Sequence, residues 1–158
     1  MGAEYRIFPI GRIVNRDNIW RIEVDEKYAD AFLGLEQFSH VDVFYWLHEN
    51  DQPAGRGVLR VHPRGDKANP LTGVFATRSP LRPNPIAVSR CRIIAIAGST
   101  LTIDAIDARD GSPLIDIKAH IPPRDELENI RIPDWVAKNR GTQDSRIRGA
   151  KGSRDKKP

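Results

Sequence analysis

Eight short runs rich in β-branched and aromatic residues, each stopped by Gly, Pro, Asn or Asp, restrict this chain to a sheet architecture with tight turns. They are RIFPIGRIV (6–14), WRIEV (20–24), VDVFYWLH (41–48), GVLRVHP (57–63), GVFATR (73–78), IAVSRCRIIAIAG (86–98), TLTIDAIDA (100–108) and PLIDIKAHI (113–121). Most connections are short, so neighbouring strands are expected to run antiparallel. ARDGSP, between the last two runs, reads as a tight hairpin in which Asp110 and Gly111 supply the positive φ angles. In residues 100–108 the apolar side chains alternate until the last step, where a bulge near Ile106 would account for the slip in phase. Helical spacing occurs in residues 26–38, where Tyr28, Ala31, Phe32 and Leu35 share a face and Gly34 keeps the element short. A second brief helix is predicted at residues 133–139, entered by Pro133 and closed by Gly141. About seven strands with one or two short helices predict an all-β fold, a small closed antiparallel barrel.

At 158 residues the chain suits one domain, expected over residues 1–137. Residues 138–158 hold eight Lys or Arg against two Asp, out of chain totals of 25 and 21, so the basic character is concentrated in a tail. With Ile147 as its only large apolar residue, that tail is expected to be disordered by itself and suited to nucleic-acid phosphates. Cys91 is the only cysteine, which excludes an internal disulfide and fits a reducing cytoplasm. No apolar run approaches the roughly 20 residues of a membrane-spanning helix, and the first residues lack a secretory signal. A soluble cytoplasmic protein without a membrane partner is expected.

Four stretches could carry chemistry. TRSPLRPNP (77–85) sets Arg78 and Arg82 among three prolines, and a backbone so stiffened holds guanidinium groups ready for a carboxylate or phosphate. In FSHVDVFYWLHEND (38–51), strand alternation puts His40, Asp42, Phe44, Trp46 and His48 on one face and Val41, Val43, Tyr45 and Leu47 on the other. Aromatic rings beside carboxylates suit a cationic or planar ligand. In DARDGSPLIDIK (107–118), Asp110 and Gly111 form a turn with free amides, and Asp116 and Lys118 share a face of the next strand. The basic tail is the fourth. Neither a phosphate-binding P-loop nor a Rossmann glycine motif is present, and His40, His48, His62 and His120 lack metal-ligand spacing, so no metal is expected.

The motifs IGRI, GLEQFSH, GVFATRSPLRPNPIAVS and DGSPLIDIKAHIP follow one another in an order and spacing that resemble the TrmO, or TsaA-like (YaeB-like), family. These are S-adenosylmethionine-dependent tRNA methyltransferases that modify threonylcarbamoylated adenosine beside the anticodon. The resemblance spans roughly residues 6–125 and implies a β-barrel homodimer with S-adenosylmethionine near the subunit interface. It implies that His48, Glu49, Arg78, Val88, Asp110, Gly111, Ser112 and Pro113 surround the cofactor. Arg82 and Lys118 are the candidates for substrate phosphates, and no catalytic residue is assigned. The Pro-Arg-Gln element usual after the first strand is missing from IVNRDNIWRIEV, with Arg16 and Trp20 the candidate replacements. DIKPY becomes DIKAH, DGTP becomes DGSP, and the larger C-terminal domain of some relatives is replaced by the tail. A non-catalytic barrel that binds the cofactor or a nucleotide, and a methyltransferase acting on a small molecule, are the alternatives.

Overall fold

Antiparallel pairing joins every strand to its neighbours in a closed six-stranded barrel of order β1-β2-β7-β6-β3-β8, with a separate two-stranded ribbon of β4 and β5. The computed structural model describes residues 2–122 and 131–137. The strands are β1 (Gly11–Arg16), β2 (Ile19–Val24), β3 (His40–Trp46), β4 (Arg60–Val61), β5 (Thr72–Gly73), β6 (Ile86–Ala97), β7 (Thr100–Ile103) and β8 (Pro113–Ala119).

Local chemistry accounts for the hairpins. Asp17 and Asn18 form a two-residue loop between β1 and β2, both with positive φ (56° and 60°), so the turn twists with its flanking strands. Gly98 (φ 56°) opens the equivalent two-residue loop between β6 and β7. Alternation then fills the interior: β3 buries Val41, Val43 and Tyr45 and turns His40, Asp42, Phe44 and Trp46 outward. Ile13, Ile22, Val41, Val43, Leu101 and Leu114 are fully buried in one cluster, which Phe32 and Leu35 join.

The barrel bends at two irregularities. Leu114 pairs with Tyr45 and Asp116 with Phe44, leaving Ile115 as an extra residue on β8, and Ile94 is the extra residue where β6 faces β7. The bulge expected near Ile106 does not form, because β7 stops at Ile103. There the Asp104 carboxylate accepts a hydrogen bond from the Arg92 backbone N–H at 2.8 Å and caps the ladder.

Other expectations are corrected. β7 and β8 are not hydrogen-bonded partners, so ARDGSP is not a hairpin between them. Its turn docks on β1 instead, through Gly111 N–H to the Ile13 carbonyl (2.8 Å) and Asn15 N–H to Asp110 Oδ1 (2.8 Å). Residues 26–38 fold as two 3-10 turns, Glu26–Phe32 and Leu35–Gln37, parted by Gly34 in the left-handed conformation (φ 86°). A segment this short forms too few α-helical hydrogen bonds to offset nucleation. Residues 57–63 contribute only β4, and residues 73–78 only Gly73 of β5, since Pro63 and Pro70 cut the ribbon short at one end and the turn at Val74 ends it at the other. Val74–Ala76 is a 3-10 turn, which leaves Arg78 in a loop rather than at a strand end. α1 (Pro53–Arg56) is a single helical turn.

The compact unit ends at Ile121. Described separately, residues 134–137 are helical, with Val136 and Ala137 donating to the Pro133 carbonyl. The remainder of that expected helix, the boundary after residue 137 and the tail of residues 138–158 lie outside the described residues.

Cys91 sits in the core, and burial pushes its thiol from an ordinary 9.0 up to about 12. Between those values the unfolded chain releases a proton that the native state keeps. This contribution to stability is therefore complete below about pH 9 and declines as pH rises toward 12. Cys91→Val is expected to remove that decline, read from urea unfolding at pH 8 and pH 10.5. Equal losses in wild type and variant would contradict it.

Candidate functional site

At one end of the barrel β3 ends, β6 and β8 begin and β1 ends, which brings together residues far apart in the sequence. Inside the barrel, the Tyr45 hydroxyl donates to the Asp107 carbonyl and meets Ser89 Oγ at 3.2 Å. Burial raises the phenol above its usual range, so at neutral pH it remains a donor. Arg78 reaches the same rim, with Nη1 donating to the Val88 carbonyl at 3.4 Å.

The end of β3 is held by a compact ionic arrangement. Asp51 accepts hydrogen bonds from the Trp46 indole (2.9 Å) and from Arg56 Nε, while the Arg56 guanidinium lies 5.5 Å from the Trp46 ring centre. The Arg56 bond, followed by that of Trp46, holds the Asp51 carboxyl below the usual range. This arrangement fixes the start of the His48–Asn50 turn, from which Glu49 projects to within 3.4 Å of Arg109 Nε.

The rigid loop works as its prolines predict, although its two arginines divide the labour. Arg82 turns inward and donates through Nη2 to the carbonyls of Val74 (2.9 Å) and Thr77 (3.1 Å). It braces the backbone that presents the exposed Arg78. Lys118 lies on the outer face of β8, 2.8 Å from Asp116 and 6.0 Å from the Phe44 ring centre. Arg78, Val88, His48 and Glu49 therefore gather at the mouth together with Asp110, Gly111, Ser112 and Pro113, whereas Lys118 stands lower on the outer wall. Ser112 is buried, and Asp110 and Gly111 are exposed.

Of the two candidate replacements in the β1–β2 hairpin, Trp20 packs against the core, and Arg16 stands 3.8 Å from Glu23. Sequence reasoning missed Asn15, Arg109, the Tyr45–Asp107 bond and the Asp51–Arg56 pair. Tyr45 was the accessible one: a phenol on a buried face needs a polar partner.

A groove of about 430 Å³ lies at the opposite end, where Tyr28, Phe32, Leu35 and Phe38 meet Ile117. Its lining holds one charged residue, Asp116, and no cation, so it lacks the means to hold an anion. The mouth has both signs of charge on a braced scaffold: the Arg78 guanidinium, and the carboxylates of Glu49 and Asp110. Among the described residues no group of His, Cys, Asp and Glu is arranged to hold a metal ion.

Fold and site together define a small antiparallel barrel whose charged mouth suits a zwitterionic ligand, without a Rossmann crevice. The profile of the tRNA-methyltransferase O N-terminal domain matches residues 4–126, and the chain belongs to that family of S-adenosylmethionine-dependent tRNA methyltransferases. Among its relatives is a probable S-adenosyl-L-methionine-binding protein of Pyrococcus horikoshii, 43% identical over 114 residues, covering 72% of this chain and 81% of the relative. The human tRNA (adenine(37)-N6)-methyltransferase is 36% identical over 103 residues, covering 65% of this chain and 23% of the human protein. A crystal structure of TrmO from Pseudomonas aeruginosa shares the fold with a TM-score of 0.63 at 24% identity, covering 91% of this chain and 75% of that one.

Proposed function

We propose that this S-adenosylmethionine-dependent tRNA methyltransferase methylates N6 of threonylcarbamoyladenosine beside the anticodon. The observation that carries the reading is the convergence of Arg78, Glu49 and the Asp110 turn at one mouth, in a chain of this family. In this reading Arg78 holds the cofactor carboxylate, Glu49 and His48 face its ammonium end, and Val88 with residues 110–113 line its remaining length. The bound cofactor supplies an activated methyl group that needs no covalent help from the protein. What the chain contributes is alignment, bringing the acceptor nitrogen to about 3–3.5 Å from the methyl carbon.

Methylation at N6 would release the N6 proton, which the chain must pass to a base or to solvent. Asp110 and Asp116 are the candidate carboxylates, of which only Asp110 belongs to the mouth. Asp110 is oriented by Asn15 N–H, and Asp116 is tied to Lys118 and to the Ile117 N–H. Arg82 acts in this reading through the loop it braces, and Lys118 toward substrate phosphate.

The proposal includes a cytoplasmic homodimer with the cofactor near the subunit interface. No helix among the described residues is long and apolar enough to cross a membrane. Support for a second copy comes from the ribbon that leads into the Arg78 loop, where Leu59, Leu71 and Phe75 are 63%, 54% and 83% exposed.

Arg78→Ala is expected to weaken S-adenosylmethionine binding about ten- to a hundredfold in calorimetry, the range for a charge-assisted hydrogen bond. Unchanged affinity would remove Arg78 from the site. Phe75→Ser is expected to shift sedimentation toward the monomer, and an unaltered profile would exclude this surface. The deciding experiment is mass spectrometry of nucleosides from tRNA that carries the carbamoylated but unmethylated base, after incubation with protein and cofactor. A methylated product supports the assignment, and cofactor binding without turnover supports a non-catalytic barrel.

A further inference from the structure

The outer wall of the barrel carries an ordered array, of which the reading above uses only Val88, Asp116 and Lys118. Register places Arg92, His40 and His120 side by side across β6, β3 and β8, the β3–β8 step being the His120 N–H bond to the His40 carbonyl. Arg90, Asp42 and Lys118 form the next row, then Val88, Phe44 and Asp116, and last Ile86 with Trp46 at the mouth. Rows two residues apart on one strand are separated by about 6.6 Å and neighbouring strands by about 4.8 Å. The wall thus carries Trp46 and Phe44 toward the mouth, with Asp116 beside Phe44 paired to Lys118 at 2.8 Å, and Arg90, Arg92 and two histidines around Asp42 farther from it.

Its charged members are held in place, yet their donors are not consumed. Asp42 accepts from Arg90 Nε at 3.0 Å and lies 3.1 Å from His120 Nδ1. Burial by itself would raise the Asp42 carboxyl, but these two partners outweigh it and hold the carboxyl below its ordinary range. Arg90 meets Asp42 through Nε and is 57% exposed in its side chain. The Arg92 side chain is exposed and has no hydrogen-bonding or ionic partner among the described residues. Lys118 stands near Phe44, a cation beside a ring on an open sheet face.

We propose that this outer face of β6, β3 and β8 is an RNA-docking track: a base stacks at Phe44 beside the mouth, while Arg90, Arg92 and Lys118 receive the phosphates of the adjoining nucleotides. The Phe44 ring is half-buried, and sheet faces that combine a partly open ring with flanking cations bind single-stranded segments by stacking and by counterion release. A base seated at Phe44 is one row from Trp46 and lies beside Val88, whose carbonyl holds Arg78, so the track delivers its strand to the mouth. The inference rests on the tRNA reading above and adds to it the surface that the RNA occupies.

The test uses the full chain, an anticodon stem-loop RNA and S-adenosylmethionine. Arg90→Gln combined with Arg92→Gln is expected to weaken RNA binding about tenfold at moderate salt and to make the log–log salt dependence shallower by about 1.4 to 1.8. Phe44→Leu, which keeps a large apolar side chain, is expected to weaken RNA binding at least about fivefold while leaving the salt slope unchanged. Cofactor affinity in calorimetry is expected to stay at the wild-type value in the double variant. RNA binding and salt slope equal to wild type in the double variant would overturn the track, as would a parallel loss of cofactor affinity, which marks general damage. A wild-type protein that binds no RNA removes the tRNA reading itself, so its curve tells that failure from one confined to this face.

Discussion

Two residue pairs, Gly11 with Leu114 and Arg12 with Pro113, close the sheet into a barrel, and the candidate site depends on that seam. A Cβ at position 11 would stand 2.1 Å from the Glu23 carbonyl oxygen and 2.7 Å from the Val24 Cα, so β1 can lie between β2 and β8 there only as glycine. Once the seam is closed, the chain just before β8 is drawn against β1. Gly111 then bonds to Ile13 and Asp110 to Asn15, and the turn stands at the rim opposite Arg78. An open sheet would leave the turn and the arginine loop on separate edges.

Much of the barrel was legible because its interior is apolar and its strands alternate. The division of β3 into Val41, Val43 and Tyr45 inside and His40, Asp42, Phe44 and Trp46 outside follows from period two alone. Pairing was legible only where strands are joined by tight loops. β8 neighbours β3 and β1 instead of β7, since a connection of nine residues leaves partner choice to barrel closure. Apolar runs misled where a 3-10 turn replaced the strand, as in residues 73–78, and where the segment was too short to nucleate an α-helix, as in residues 26–32.

For the site, residue types were legible and roles were not. Two arginines four residues apart in a proline-rich loop look equivalent in sequence, yet Arg82 is consumed by two backbone carbonyls and Arg78 is left for the mouth. Such a division depends on which way the loop folds. The Asp51–Arg56 pair and the reach of Arg109 to Glu49 escaped notice for the same reason, because surface charges reveal their partners only in three dimensions.

The segment from Leu47 to Pro85 leaves and rejoins the barrel between two adjacent strands, and the Leu47 N–H bonds to the Pro85 carbonyl at 2.7 Å. Its two ends are thus clasped at one spot on the wall. Whatever lies beyond the clasp can lengthen, shorten or be exchanged with little strain on the strands, because the entropy of closing a loop grows only slowly with its length. The barrel can therefore act as a chassis that tolerates changes of length in the part of this cassette before the Arg78 loop, leaving that loop and the staves alone.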